Sequence, residues 1–539
     1  MAAPRRTRGG SAIRRSGHRP AAPRIGPRAG QPRRPSAADG GHLGAPRTGG
    51  ALRRGAGARP AELADDPPAD AAVALTTSLA QALAGRGRAT EACRLLEARA
   101  AGATVEHRAR LIGSLASVRL TNGEADAARR DAEEAVAAAT AAGDDHWLRS
   151  TFAVQAWLAV GDGDPDSGIE LANRSLPSGV DDKDPSQSVF GRVPLGVALL
   201  EADRFEPAAA SFRRAIEVGD RTGASGNATL AHLGLALSDY AAGRLDEAVA
   251  GAETALVLAQ VGGNRSGDLY AHALLARIAL HRHGVATAAP LVEAARARLD
   301  ETGPALGAEA VVWVAALANE ASGPPVDTDM PLLAWQLHPM RYLLTWRLIA
   351  PDLVRWLVAA GRLDEAGAVV ADVEAVAGTS PGRRSVAAQC RATITGRAPG
   401  PRAFRSPRPI EVAAAHVMAA RAQLDPRADT DRGAALASLQ AALALASSVG
   451  AVADAEAIFD LARRSKLRIE APVRTVGPPD ALTAAERSVA ALAAEGLTNR
   501  AIGAGLAMSR HTVDTHLRHI YRKLGVKGRV ELARHRPHT

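Results

Sequence analysis

Lysine is almost missing from this chain: Lys183, Lys466, Lys523 and Lys527 are the only four among 66 basic residues, the rest being arginine. None of the four follows a glycine, so the G-x-x-x-x-G-K-[ST] loop that cradles nucleotide phosphates is absent from the sequence. Cysteine is scarcer still. Cys93 and Cys390 make neither a CxxC pair nor a metal-ligand cluster, and both are expected to be buried thiols of a reducing cytoplasm. No apolar run reaches the roughly eighteen residues of a membrane span, and no apolar stretch follows the N-terminal arginine pairs as a targeting signal would require. Scattered Ser, His and Asp residues occur without a nucleophile elbow or metal spacing to organise them, so neither an enzyme nor a cofactor is expected.

What is present is charge, unevenly spread. The net +9 divides into +13 over residues 1–60, with 14 arginines against Asp39, +6 over 482–539, and −10 over 61–481. An acidic middle therefore carries two basic ends, and the isoelectric point says little about the bulk of the protein. Residues 1–68 are Arg, Gly, Pro and Ala without periodicity, a composition that cannot bury enough surface to fold. Three readings of that tail stand: a non-specific DNA-binding arm, disorder without function, or an extension translated from an upstream start.

A phrase recurs through the acidic middle, a Gly or Asp turn followed by a small or apolar residue and an Ala-rich helix. It reads GEADAA at Gly123, GDPDSG at Gly163, DRFEPA at Asp203, GRLDEA at Gly243, GVATAA at Gly284 and GRLDEA at Gly361, with spacings of 40, 40, 40, 41 and 77. The last spacing spans two units, with a degenerate copy at Gly323, and GRATEA at Gly87 is an earlier one. Two helical segments per unit of this length predict a tetratricopeptide-like array over 69–470, whose stacked Ala and Leu faces leave a concave surface open to a protein or small-molecule effector. Trp313, Trp335, Trp346 and Trp356 fall within 44 residues together with His338, Met340 and Tyr342. They read either as an aromatic ligand pocket or as fillers between repeat helices, and filling is the expectation. GRAPGPRAFRSPRP (396–409) interrupts the array as a loop or hinge, and APVRTVGPPDA (471–481) is a linker.

The C-terminal 58 residues change character. Thr483-Ala-Ala-Glu486 is a capping box for a helix ending near Gly496, Thr498 caps a short helix with Ile502 and Leu506, and Ser509 opens a third that Gly525 stops. On the third, Val513, Leu517, Ile520 and Leu524 share one apolar stripe, while His511, Asp514, Thr515, Arg518 and Arg522 form a separate, mostly basic ridge. Two helices joined by about three residues, the second with a bounded apolar stripe and a basic ridge, make a helix-turn-helix, whose second helix enters the major groove.

The stretch LTAAERSVAALAAEGLTNRAIGAGLAMSRHTVDTHLRHIYRKLGVKGRVELAR (482–534) resembles the four-helix DNA-binding domain of LuxR-type transcription regulators. The shared positions are Leu482-Thr483, Glu486-Arg487, Gly496-Leu497-Thr498-Asn499, Ile502, Leu506, Ser509, Thr512-Val513, His516, Ile520, Lys523-Leu524-Gly525-Val526 and Arg529. Ala501 departs from the family at a usually acidic position, Asp514 at a commonly basic one, and Gly503 and Gly505 soften the second helix by about 1 kcal/mol each. APDLVRWLVAAGRLDEA (350–366) and residues 434–464 are similar to the repeats that precede this domain in the large ATP-binding LuxR-type regulators, whose nucleotide-binding domain has no counterpart in this sequence.

The resemblance implies double-stranded DNA as partner, with Thr498, Asn499, Ser509, Arg510, His511, Thr512, Asp514, Thr515, Arg518, Arg522, Lys523 and Lys527 at the interface. Thr515 and Arg518 fall where the family faces base edges. It also implies a homodimer paired through the final helix, Arg529 to His535. The expectation is therefore an all-α chain in which a helical repeat array (69–470) precedes a four-helix helix-turn-helix domain (482–539), acting as a cytoplasmic, sequence-specific transcription regulator. The competing reading is a protein-interaction scaffold with a vestigial DNA-binding domain.

Overall fold

The computed structural model describes residues 68–534 apart from 224–226, 304–305, 324, 338–345, 379, 426–430, 471–481, 483 and 507–509. The readings of the Arg-rich tail, the 471–481 linker, the Thr483 and Ser509 caps and the trio His338, Met340 and Tyr342 fall outside the described residues. Among those described, every regular element is a helix and there is no strand, as the all-α expectation requires. No described helix is long and apolar enough to cross a membrane.

Helical hairpins follow one another between Ala69 and Arg464, most of them packed on their neighbours; Ala228–Ala241 with Leu245–Gly262 and Arg265–His283 with Val285–Thr302 are successive pairs. Small side chains at helical spacing allow the close approach. Ala248, Ala252, Ala255 and Ala259 of one helix are at most 1% exposed. The larger gaps are filled by aromatics: Trp313, Trp335, Trp346 and Trp356 are all buried in the principal core. The indole N–H groups of Trp313 and Trp335 donate to Asp352 (3.0 Å) and Asp372 (3.1 Å). Beside Trp313 a cavity of about 20 Å³, lined also by Tyr240, Tyr270 and Arg277, has room for about one water. At these residues the tryptophans fill space between the repeat helices.

Each predicted repeat turn reverses through a left-handed residue. Gly87, Gly123, Gly163, Gly243, Gly284, Gly323 and Gly361 have φ between 74° and 107°, a region nearly closed to residues with a Cβ. Asp203, at φ 61°, occupies the equivalent turn of its own repeat. Its side chain explains the exception. The Asp203 carboxylate accepts from Ser380 Oγ (2.6 Å), the Gly382 amide (2.9 Å) and Arg408 Nε (3.0 Å), and lies 3.1 Å from Arg347 Nη1. Arg347 is fully buried and also faces Glu411 at 3.2 Å, and Arg383 faces the buried Glu201 at 3.6 Å. Three guanidinium groups and three carboxylates thus share one enclosed site, and the surrounding arginines hold the Asp203 carboxyl down at about 2 against the opposing effect of burial.

The same edge is sealed on either side of this cluster. A Cβ at Gly163 would lie 2.6 Å from Val376 Cγ1, and one at Gly243 would lie 2.5 Å from Val449 Cγ1, so the turns of the early repeats press directly on the late ones. His281 Nδ1 meets Asp454 Oδ2 at 2.5 Å on the same side. The interruption at 396–409 is a loop with one short 3-10 turn, and it forms part of this closure. Pro401–Phe404 form a short 3-10 turn whose Ala403 carbonyl accepts from Ser385 Oγ (2.6 Å), and buried Arg408 reaches back to the Leu200 carbonyl (2.7 Å). These two buried polar bonds fix the segment where its Pro-rich composition alone suggests freedom.

Candidate nucleic-acid interface

Residues 482–534 close a small core of their own. Leu482, Val489, Ala493, Ile502, Val513, Leu517, Ile520 and Leu532 are buried against one another, in a cluster separate from those of the repeats. The four helices run Ala484–Ala494, Asn499–Leu506, Arg510–Leu524 and Arg529–Arg534. Their ends follow the predicted signals: Gly496 and Gly525 are left-handed at φ 89° and 66°, and Thr498 Oγ1 accepts from the Ala501 amide at 3.2 Å. Gly503 and Gly505 remain helical, carried by the packing of Ile502.

Several motif residues hold the domain together. Lys523 Nζ bonds the buried Glu486 carboxylate at 2.7 Å, joining the first helix to the third. Arg529 donates to the Leu497 carbonyl and to Asn499 Oδ1, and Arg487 donates to the Leu482 carbonyl at 2.6 Å. Lys523, expected on a phosphate, is thus taken up inside the domain. Replacing it with Met should lower the stability of the domain by about 2 kcal/mol, since a buried carboxylate loses its partner, while leaving the salt dependence of DNA binding unchanged. A shallower salt slope without a fall in melting temperature would return Lys523 to the phosphates.

Besides Arg487, which is tied to the Leu482 carbonyl, the exposed basic side chains among the described residues of this domain are Arg500, Arg510, Arg518, Arg522 and Lys527. Asp514 is exposed among them, accepts from Asn499 Nδ2 at 3.2 Å and stands 4.0 Å from Arg518 Nε one turn on. Arg518 Nη2 donates to Thr515 Oγ1 at 2.9 Å.

The profile of the bacterial regulatory proteins, luxR family (GerE), matches residues 480–536. The C-terminal domain is a luxR-family domain. Over 83 residues the chain is 40% identical to a Mycobacterium tuberculosis protein named HTH-type transcriptional regulator Rv0890c, a span that is 15% of this chain and 9% of that one. Over 53 residues it is 47% identical to the probable transcriptional regulatory protein SgaR of Hyphomicrobium methylovorum, covering 10% of this chain and 25% of that protein. The chain therefore spans only a small part of the length of the curated relatives it matches. Among solved structures it is similar to a Rap protein complexed with competence and sporulation factor, over 60% of this chain and 91% of that one, at 11% identity and a TM-score of 0.48.

Within the luxR-family domain the third helix brings Asp514, Thr515, Arg518 and Arg522 onto one side, as its periodicity predicts. Thr498 and Asn499 stand at the start of the second helix, Arg510 begins the third and Lys527 follows it. Ser509 lies outside the described residues, and His511 and Thr512 are placed on the helix backbone alone. The basic ridge is not uniformly open. Thr515 is 1% exposed, His516 2% and His519 7%. Their cover is the repeat helix Leu245–Gly262: Thr254 Oγ1 lies 3.3 Å from Thr515 Oγ1, and His519 Nε2 lies 3.0 Å from Glu253 Oε2. Nothing in the sequence marked Glu253 or Thr254, which sit in an ordinary second helix of a repeat. The one signal available was His519 itself, a polar ring on the flank of the apolar stripe.

Proposed function

We propose that the chain is a cytoplasmic transcription regulator that binds double-stranded DNA through the luxR-family domain, the repeat array of 69–470 serving as its sensor or assembly part. What supports this above all is the third helix: an apolar stripe turned into its own small core, with Arg510, Arg518 and Arg522 left at the surface to meet phosphate and guanine. The final helix, Arg529–Arg534, carries Val530 at 68% exposure, an apolar side chain suited to pairing two copies. A homodimer reads an imperfect palindrome with half-sites about one helical turn apart. The array offers its surface to a protein or small-molecule effector. The chain performs no catalysis and needs no ATP.

A gel-shift titration with the DNA upstream of its own gene tests the reading. Saturable binding that survives competitor DNA is expected, with a footprint of two half-sites. Failure of both the full chain and residues 482–539 to shift any DNA would leave only an interaction scaffold.

Asp514 tests the reading at one residue. Held by Asn499 and beside Arg518, its carboxylate is placed to orient that guanidinium for guanine. Asp514→Ala is expected to cost about 1–3 kcal/mol at a single base pair. Selection of random operators by the variant checks this: an unchanged consensus would reduce Asp514 to a tolerated charge among phosphates.

A further inference from the structure

The covered part of the third helix is the part a DNA-binding helix needs open. Thr515 and Arg518 are the ridge positions expected to face base edges, and Thr515 is buried against Thr254. A threonine within hydrogen-bond distance of one helix cannot at the same time lie in a groove about 12 Å wide that a whole helix must enter. We propose that the repeat helix Leu245–Gly262 is a docking surface for the chain's own recognition helix, so that the array and DNA compete for the same face and the structure shows the DNA-excluded state. The proposal rests on the DNA-binding reading above.

Three features of that surface fit this occupant. First, it is acidic where the occupant is basic: Glu253 bonds His519, and the nearby Arg518 and Arg522 join His519 in holding the Glu253 carboxyl below its usual range despite burial. Second, its covered side chains are small. Ala250 and Thr254, one turn apart on one side, are both buried, and Thr254 Oγ1 accommodates its own helix by bonding the Ala250 carbonyl at 2.9 Å. Third, among the described residues the hydrogen bonds across it are few and polar, one hydroxyl pair and one imidazole–carboxylate pair, while Val257 and Val261 farther along the helix stay 50% and 85% exposed. A contact this small would not hold two separate molecules together. It is sufficient between parts of one chain, where a tether of a dozen residues gives an effective concentration on the order of millimolar. Such a contact is also easily broken, as a reversible switch requires.

The competition has a direct test in a reversible lock. The double variant Thr254→Cys, Thr515→Cys places two thiols where the hydroxyl oxygens are 3.3 Å apart, and both native thiols, Cys93 and Cys390, are buried and out of reach. Operator binding is compared before oxidation, after oxidation and after reduction with dithiothreitol, with residues 482–539 as the unmasked reference. The oxidised full chain is expected to lose binding and the reduced chain to regain it. In parallel, Thr254→Arg in the full chain, a change outside the DNA-binding domain, is expected to tighten binding by about tenfold, within the usual range of coupling between sites. The proposal is overturned if no cross-link forms, if the cross-linked chain still binds DNA, or if Thr254→Arg binds no better than the unaltered chain. If residues 482–539 themselves bind no DNA, the functional reading is what fails, and the docking falls with it.

Discussion

Asp203→Ala is expected to lower the stability of the repeat array by about 3–5 kcal/mol, the usual cost of stranding a buried charge. Arg347 is fully buried and Arg408 nearly so, and both lose their shared carboxylate. A second substitution separates side chain from backbone. Asp203→Gly removes the left-handed strain at φ 61°, which alone should be stabilising, yet it is expected to be destabilising by a comparable amount because the carboxylate is gone. Denaturant titration followed by tryptophan emission measures both, since Trp346 lies against the Arg383 guanidinium at 5.5 Å. A loss below about 1 kcal/mol in Asp203→Ala would contradict the role given to the cluster. The pH dependence has a definite sign. The folded carboxyl titrates at about 2 and the unfolded one near 3.8, so its contribution is complete above the unfolded value and is lost as pH falls through 2, for a total of about 2.5 kcal/mol.

The isolated luxR-family domain, residues 482–539, is expected to lose about one hundred and fiftyfold in DNA affinity between 50 and 200 mM salt. That figure follows from the four exposed cations left for phosphate once Arg518 is assigned to guanine, Arg500, Arg510, Arg522 and Lys527, each releasing about 0.9 of a counterion on neutralising a phosphate, for a slope near −3.6. Arg522→Ala should make the slope shallower by about 0.9 while weakening all sequences alike. Fluorescence anisotropy across a salt series gives both quantities. Affinity that does not change with salt would remove the phosphate contacts and with them the assignment of this face. Because Lys523 is committed to Glu486, a slope requiring Lys523 in addition to these four would point to reorganisation of the domain on DNA.

What could be read from the sequence was whatever repeats or whatever is local. The turn phrase located the reversals at Gly87, Gly123, Gly163, Gly243, Gly284, Gly323 and Gly361, all of which are left-handed, because a tight turn between helices demands a conformation that glycine adopts without strain. The stripe Val513, Leu517 and Ile520 likewise emerged as core, since helical spacing is a property of neighbours. The misses are all long-range. Asp203 was legible as a turn but not as an anchor, for its partners Arg347, Ser380, Gly382 and Arg408 lie 144 to 205 residues away and follow no period. The Pro-rich 396–409 segment was legible as a loop or hinge but not as an anchored one, because composition reports backbone preference and not the buried bonds of Arg408 and Ser385. Lys523 resembled any other cation of the ridge until Glu486 was seen beneath it. Glu253 looked like one more solvated acid on an acidic array.

The distance in sequence between Asp203 and its partners also bears on how the chain is made. A protein emerges from the ribosome at about 5–20 residues per second, so the loop at Asp203 waits on the order of ten seconds or more before Arg408 exists. During that interval the edge formed by Gly163, Asp203 and Gly243 has nothing to press against. In a solenoid whose repeats touch only their neighbours, each unit completes itself as it is synthesised. Here the early hairpins can stack as they appear but cannot be sealed, and the slow step is the return of the late ones, a closure that also bears the entropic cost of a long loop. A ribosome stalled near residue 370 would therefore hold an array with all eight turns, Gly87 to Gly361, already synthesised and its charged edge still wet.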